Sequence, residues 1–363
     1  MIINFKKIFS FILLFCVIAI NCGSIKGTKE FKNFTPKVGN VVNTRKLPLI
    51  FHKDYDISFF GMEKLHPFDS QKYGKVVNYL IQNAVVNESW FHTPRMVSQE
   101  ELLTVHTKDY LESLNKSQVL AKITEIAPLA YVPNFLLQSN LLDSMRLATG
   151  GTILGAELAL NHGWAINLSG GYHHAKSSNG EGFCVYADIP LAVKQVWKKK
   201  PEAKIMIIDL DAHQGNGHEE ILKDDKRVII FDVYNSQVYP NDTEAKKYIK
   251  YDYPVKPFIK DSVYLSLVKQ ELTKAIEKEK PSFIIYNAGT DIFENDPLGE
   301  MSVSRAGIIE RDQFVFKIAL ENKIPILMLL SGGYTKESSQ IIGESIKNIL
   351  KSFKLIRFDC PLC

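Results

Sequence analysis

Cysteine is scarce in this chain of 363 residues, with five in all. Cys16 and Cys22 lie in or beside an apolar N-terminal run, which leaves Cys184, Cys360 and Cys363, too few for a disulfide framework. Cys360 and Cys363 have C-x-x-C spacing but sit at the extreme C-terminus with no second ligand pair, so a frayed tail is the better reading than a zinc knuckle. An excess of one charge is also lacking. The formal net charge is +4, with Lys and Arg scattered among Asp and Glu, which argues against a nucleic-acid-binding surface. Lys198, Lys199 and Lys200 follow a helical segment and read as its solvated end. From about Leu47 onward there is no internal repeat, low-complexity linker or break in composition, so one domain over residues 45–363 is the economical assignment. Apolar side chains are plentiful instead: at 45% of the chain they suffice for a packed core.

The first residues differ from the rest. Lys6 and Lys7 precede residues 8–20, which are apolar except for Ser10 and too short for a typical spanning helix, the shape of an export signal. Residues 1–22 are therefore assigned to a signal peptide and residues 23–44 to a polar tether. Ala19, Ile20, Asn21 and Cys22 are similar to a loose lipobox, in which Cys22 would receive a lipid and attach the protein to a membrane. Asn21 departs from the small residue usual before that cysteine. The competing readings are secretion without a lipid, an uncleaved anchor, and a start codon misplaced upstream of a cytoplasmic enzyme.

The first half of the domain reads as mostly helical. Ser98 with Glu101 forms a capping-box pattern opening a short helix through Leu103, and residues 70–84 and 145–160 have helical apolar spacing. In the second half, short apolar runs alternate with amphipathic segments at intervals that suit βα units. Strands are expected at 165–168, 204–209, 228–233, 283–287 and 325–331, and helices at 189–198, 261–279, 304–322 and 336–351. Continuous apolar runs such as 205–208 and 326–330 suggest strands covered on both faces. The expected fold is thus α/β, a single domain with a mainly parallel sheet flanked by helices on both faces, and ligands bind beyond the carboxyl ends of such strands.

Four unusual clusters fall at those ends. They are Ser169 to His174, Asp209 to Asn216, Ala288 to Asp291, and Ser331 to Tyr334. Asp211 and His213 are two apart and point the same way in an extended segment, and Asp291 from another strand end can complete a set. Two carboxylates and one imidazole suit a borderline cation such as Zn²⁺, one per chain, and leave room for water and substrate. An Asp-x-His triplet alone is weak, since a salt bridge or capped turn explains most of them; the joint occurrence of four clusters changes that. His173 and His174 are poor core material, because each buried ring nitrogen needs a partner. One of them can take a proton from an attacking water and pass it to the leaving amine while its neighbour holds charge. Asp209 is placed as the partner that fixes one ring. Tyr334, delivered by two glycines, can donate its hydroxyl to the oxyanion of a tetrahedral intermediate.

These residues carry a resemblance. Gly170 to Ala175, Gly182 to Ile189, Ile207 to Glu219, Tyr286 to Asp291 and Ser331 to Tyr334 resemble the histone deacetylase family, most closely its class IV branch. Thr124, Glu125 and the stretches 61–69, 164–167 and 232–240 are similar to that branch as well. The resemblance implies a zinc-dependent hydrolase acting on acyl-lysine in a protein or peptide, with Asp211, His213 and Asp291 as zinc ligands and Tyr334 as the transition-state tyrosine. His173 and His174 match the family's tandem histidines, the second usually being the acid/base. Gly182 and Phe183 match the wall of a narrow substrate tunnel, and Asp209 matches the partner of His173 and part of a structural monovalent-cation site. Where many members back the second histidine with Asp, this chain has Asn216, so His174 is expected to be less basic. Class IV shares that Asn, and its relatives are associated with long fatty-acyl lysine.

Three alternatives differ in testable ways. A two-manganese arginase-like enzyme would want another carboxylate about where Asn216 stands. An acetylpolyamine amidohydrolase, acting on an acylated small amine, would share the catalytic centre and differ in the rim loops. A non-catalytic acyl-lysine-binding pseudoenzyme would be expected to lack a ligand or the tyrosine, and all are present.

Overall fold

The five expected strand segments form the interior of a seven-stranded sheet, and two further strands complete its edges. The strands are β1 (Leu49–Ile50), β2 (Trp164–Asn167), β3 (Ile205–Asp209), β4 (Val228–Asn235), β5 (Tyr251–Val255), β6 (Phe283–Asn287) and β7 (Ile326–Leu329), in the order β1-β2-β7-β6-β3-β4-β5. Every neighbouring pair is parallel. This is a computed structural model, and it describes residues 46–356 except 59, 60 and 66. The signal peptide, tether and Cys22 assignments, and Cys360 and Cys363, lie outside the described residues. The described residues belong to one compact unit.

The apolar runs work as strands because their alternate residues serve two different cores. Met206 and Ile208 of β3, Ile284 and Tyr286 of β6, and Ile326 and Met328 of β7 enter one cluster. Ile205 and Ile207, Phe283 and Ile285, and Leu327 and Leu329 enter the other. All twelve are at most 1% exposed, so neither face of the central sheet meets water, and each such side chain contributes about 1.5–3 kcal/mol on burial. Helices α1 (Lys72–Gln82), α9 (Asp261–Glu279), α10 (Arg305–Glu321) and α11 (Ser338–Ser352) cover the first face. Helices α6 (Asp143–His162), α7 (Asp188–Lys199) and α8 (Asn216–Leu222) supply the second, with Ala156, Val193 and Leu222 among the contacts. The remaining short helices, α2 (Gln99–Leu102), α3 (Lys108–Ser113), α4 (Ser117–Ile123) and α5 (Asn134–Leu137), pack a third cluster beside the sheet.

The two edge strands escape sequence reading for physical reasons. β1 has only two residues, too few to show a period. β5 is half-exposed and contains Pro254, which has no N–H for the ladder and is tolerated only because the strand has no neighbour on its outer side. Other boundaries shift by one or two residues; α2 opens on the expected capping box, with Ser98 Oγ accepting from the Glu101 N–H and Glu101 accepting from the Ser98 N–H. No helix among the described residues is long and apolar enough to cross a membrane.

Candidate active site

Strand register sets the site. Asp209 pairs with Asn287, Asn287 with Leu329, and Leu329 with Asn167, so β3, β6, β7 and β2 end level with one another. The four loops that leave these ends converge, and they carry the four clusters. Asp211, His213 and Asp291 meet there, all buried, with one ligand atom from each within 4.8 Å of the others. His213 Nδ1 lies 3.0 Å from both Asp211 Oδ1 and Asp291 Oδ2. Backbone N–H groups orient the carboxylates: Gly332 donates to Asp211 Oδ2 and Ala212 to Asp291 Oδ1, each at 2.9 Å. A Cβ at Gly289 or Gly332 would run into these carboxylates, so only glycine lets the two loops close over them.

The electrostatics match a cation-binding cradle. Burial alone would lower His213, but the flanking carboxylates outweigh it and hold the imidazole well above its ordinary value. Burial would likewise raise Asp211, yet His173 and His213 keep it well below the usual carboxylate range. Asp291 goes the other way, pushed up to about 7 by burial and then by Asp211. Two like charges this close demand a positive partner, and a donor set of two carboxylates and one imidazole fits Zn²⁺.

The tandem histidines stand beside this cradle with ring centroids 4.0 Å apart. Asp188, at the start of α7, anchors their loop by accepting the N–H groups of Gly171 and Tyr172, both at 2.9 Å. His173 Nδ1 is 2.9 Å from Asp209 Oδ2, and Asp209 Oδ1 accepts from Asn287 Nδ2 at 3.0 Å. Against the pull of burial, Asp209 and Asp211 push His173 up to about 9. His174 Nδ1 is 2.8 Å from Asn216 Oδ1, and burial, then His173 and His213, hold it well below its ordinary value.

Tyr334 arrives from the fourth loop, its N–H donating to Asp296 Oδ2 at 2.8 Å. Its half-buried ring stands perpendicular to His213 at 6.1 Å and lies 6.4 Å from Phe68. Burial, with Asp291 and Asp211, raises the phenol well above its ordinary value, so the hydroxyl keeps its proton. Phe68 in turn lies 5.0 Å from Phe183, which follows Gly182 in a tight turn where both residues have positive φ (+63° and +54°). Near Asp209, Asp232 and Glu219 face each other, and each keeps one buried oxygen with no donor outside that pair among the described residues. Burial, reinforced by Asp209, raises Asp232 well above the usual range and Glu219 to about 7, which suits a cation held by the three.

Besides Asp296, three residues here stand outside the motifs singled out in the sequence. Lys72 is fully buried beneath the fourth loop and donates to Ser331 O at 2.6 Å and Gly332 O at 3.2 Å. Burial lowers it to about 8, against the opposing pull of Asp291 and Asp211. A signal existed, since Lys72 shares the buried face of α1 with Tyr73, Val76, Val77 and Leu80. Arg311, also fully buried, donates to Leu210 O at 2.9 Å and Gly289 O at 2.7 Å, bracing the backbone next to Asp211 and behind Asp291. Glu181 accepts from Asn216 Nδ2 at 2.6 Å, a contact across 35 positions that no local pattern announces.

The chain is similar to known proteins of one family. The histone deacetylase domain model matches residues 66–350. Histone deacetylase 2 of Arabidopsis thaliana is 46% identical over 304 residues, covering 84% of this chain and 79% of that protein. Histone deacetylase 1 of Homo sapiens is 27% identical over 302 residues, covering 78% of this chain and 61% of that protein. Among solved structures, the HDA15 HD domain superposes with a TM-score of 0.69 at 22% identity, covering 88% of this chain and 92% of that one, a likeness of fold.

Proposed function

The chain belongs to the histone deacetylase family and carries a deacetylase-type hydrolase domain; from that premise we propose that it is a zinc-dependent enzyme removing acetyl or longer acyl groups from lysine side chains. The observation that carries this reading is the buried Asp211, His213 and Asp291 tripod with the rings of His174 and Tyr334 6.0 and 6.1 Å from that of His213. Zinc held by that tripod would supply a Lewis acid for the amide carbonyl and acidify the attacking water. The chain's own residues do the rest. His174, bonded through Nδ1 to Asn216, takes the proton of the attacking water at its other ring nitrogen and returns it to the leaving lysine amine. His173, held positive by Asp209, adds fixed charge beside the developing oxyanion. Tyr334 donates its hydroxyl to that oxygen, and Phe68 and Phe183 exclude water from the acyl-lysine stem. Asp209, Asp232 and Glu219 would hold a monovalent cation that stiffens the β3 end.

The test is turnover by the purified, zinc-loaded chain across peptides bearing acetyl to myristoyl lysine, with acetylpolyamines alongside. Turnover of an acyl-lysine peptide, lost on chelation and regained with zinc, is expected; turnover confined to polyamines would move the substrate class, and no amidase activity in a zinc-loaded protein would refute the reading. Export with lipidation at Cys22 is a separate proposal, decided by mass spectrometry of the mature N-terminus.

A further inference from the structure

His174 rests on an amide, and an amide has two ends. The oxygen end of Asn216 would accept from the imidazole, whereas the NH₂ end would donate to it, and the two choices require opposite tautomers of His174. The far side of Asn216 decides between them. Its Nδ2 lies 2.6 Å from Glu181 Oε1 and 3.4 Å from Asp242 Oδ2. Lys176 sits beside both as their ion-pair partner, 2.8 Å from Asp242 Oδ2 and 3.7 Å from Glu181 Oε1. Ionised carboxylates can only accept. The NH₂ group must therefore face them, the carbonyl must face His174, and His174 must carry its proton on Nδ1.

Of the two carboxylates, Glu181 makes the shorter contact and is the less committed. Asp242 already accepts the N–H groups of Glu244 and Ala245 and the Lys176 ammonium. Glu181 also lies beside Tyr239, whose ring packs edge-on against His174 at 4.9 Å, so it is close to both neighbours of that imidazole. Its own backbone is fixed by the tight turn it opens, with Cys184 N–H donating to Glu181 O at 2.9 Å across Gly182 and Phe183.

We propose that Glu181 is a positioning residue: it locks the Asn216 amide with its carbonyl toward His174 and thereby holds His174 as the Nδ1–H tautomer, its other ring nitrogen free to accept a proton. The proposal rests on the reading of His174 as the base. Four variants of the full, zinc-loaded chain test it: Glu181→Ala, Glu181→Gln, Asn216→Asp, and Asn216→Asp combined with Glu181→Gln. Loss of the acceptor in Glu181→Ala should lower kcat about 10-fold, the size of effect usual for partners of active-site histidines, with KM and zinc content unchanged. Glu181→Gln, whose carbonyl still accepts from Asn216, should recover most of that loss. Asn216→Asp sets two carboxylates face to face and should lower kcat, and adding Glu181→Gln, which restores a donor between them, should raise it again. A residue that only supported the fold would give additive losses in that pair. Long-range proton–nitrogen NMR of the imidazoles gives a second readout that needs no turnover, with the Nδ1–H form of His174 expected in the wild type and a tautomer mixture in Glu181→Ala. An unchanged kcat and tautomer in Glu181→Ala, or additive losses in the double variant, would overturn the proposal. A wild type without turnover whose His174 tautomer still depends on Glu181 would refute the base assignment and support the lock.

Discussion

The two imidazoles of the site share one loop and lie 4.0 Å apart, yet the regions behind them are built differently. Behind His173 is the sheet interior, where Asp209 is 0% exposed and is held by the Asn287 amide and the Asp211 N–H. Behind His174 is the rim, where Asn216 is backed by Glu181, Asp242 and Lys176 with side chains 31%, 20% and 15% exposed. The deep region brings a bare carboxylate directly to its histidine. The outer region keeps its carboxylates one residue back and interposes a neutral amide. A carboxylate at position 216 would stand against two others with only one lysine among them, a repulsion that the amide converts into a hydrogen bond. What the contrast teaches is a division of electrostatics: direct pairing with Asp209 favours the charged form of His173, while His174, backed by a neutral amide, is held toward its neutral form, as the proposed proton exchange requires.

Substitutions can break this contrast at decreasing cost. Asp291→Ala removes a tripod ligand from the deep region and should abolish zinc binding and lower kcat on the order of 10³-fold or more, with elemental analysis falling from about one zinc per chain toward none. Retained zinc in that variant would contradict the tripod. Tyr334→Phe should lower kcat by about 10² to 10³ with KM little changed and zinc intact, because the donated hydrogen bond strengthens only as charge develops on the oxygen. Near-normal kcat in a folded, zinc-loaded Tyr334→Phe enzyme would remove the tyrosine from the mechanism.

The contrast itself is sharpened by Asp209→Asn, which gives His173 the kind of neutral backing His174 already has. It should cost about 10- to 100-fold in kcat, and steady-state kinetics with zinc analysis would separate this from metal loss; a cost below twofold would mean that the charge behind His173 is dispensable.

The smallest effect is read in stability. Lys72 has an ordinary value of 10.5 and is lowered to about 8 in the fold, so between those limits the unfolded chain holds a proton that the folded chain has released. Its contribution to stability therefore rises as pH climbs through that window, and its cost is complete below pH 8. In zinc-free protein, the stability of Lys72→Met relative to wild type should fall by roughly 2 kcal/mol from pH 7 to pH 10, measured by urea unfolding. A difference independent of pH would mean that Lys72 is not buried as described.

Local chemistry makes much of this protein legible in its sequence. Runs such as 205–208 declare buried strands by themselves, because a parallel strand covered on both faces has to be apolar at every position. Glycines beside Asp, His and Tyr at strand ends mark the site, since nothing in sheet packing calls for those types there. The Ser98 and Glu101 pair announces its helix because a capping box is completed within four residues. β1, β5 and Lys72 were not legible in the same way: two residues carry no period, an edge strand may be polar, and one lysine on an apolar face acquires meaning only from the loop above it.

The sequence by itself thus determined the mainly parallel sheet and the residue types delivered at its strand ends, both of which follow from composition and spacing over a few residues, whereas the register that levels those ends is a tertiary fact. Only the tertiary structure decided which of those residues support one another. Lys72 meets Ser331 across 259 positions, Arg311 meets Leu210 across 101, and Glu181 meets Asn216 across 35. The physical reason is that a hydrogen bond reaches about 3 Å whatever the length of chain between its partners, so the pairing of distant groups is set by how the sheet and helices pack and leaves no local trace.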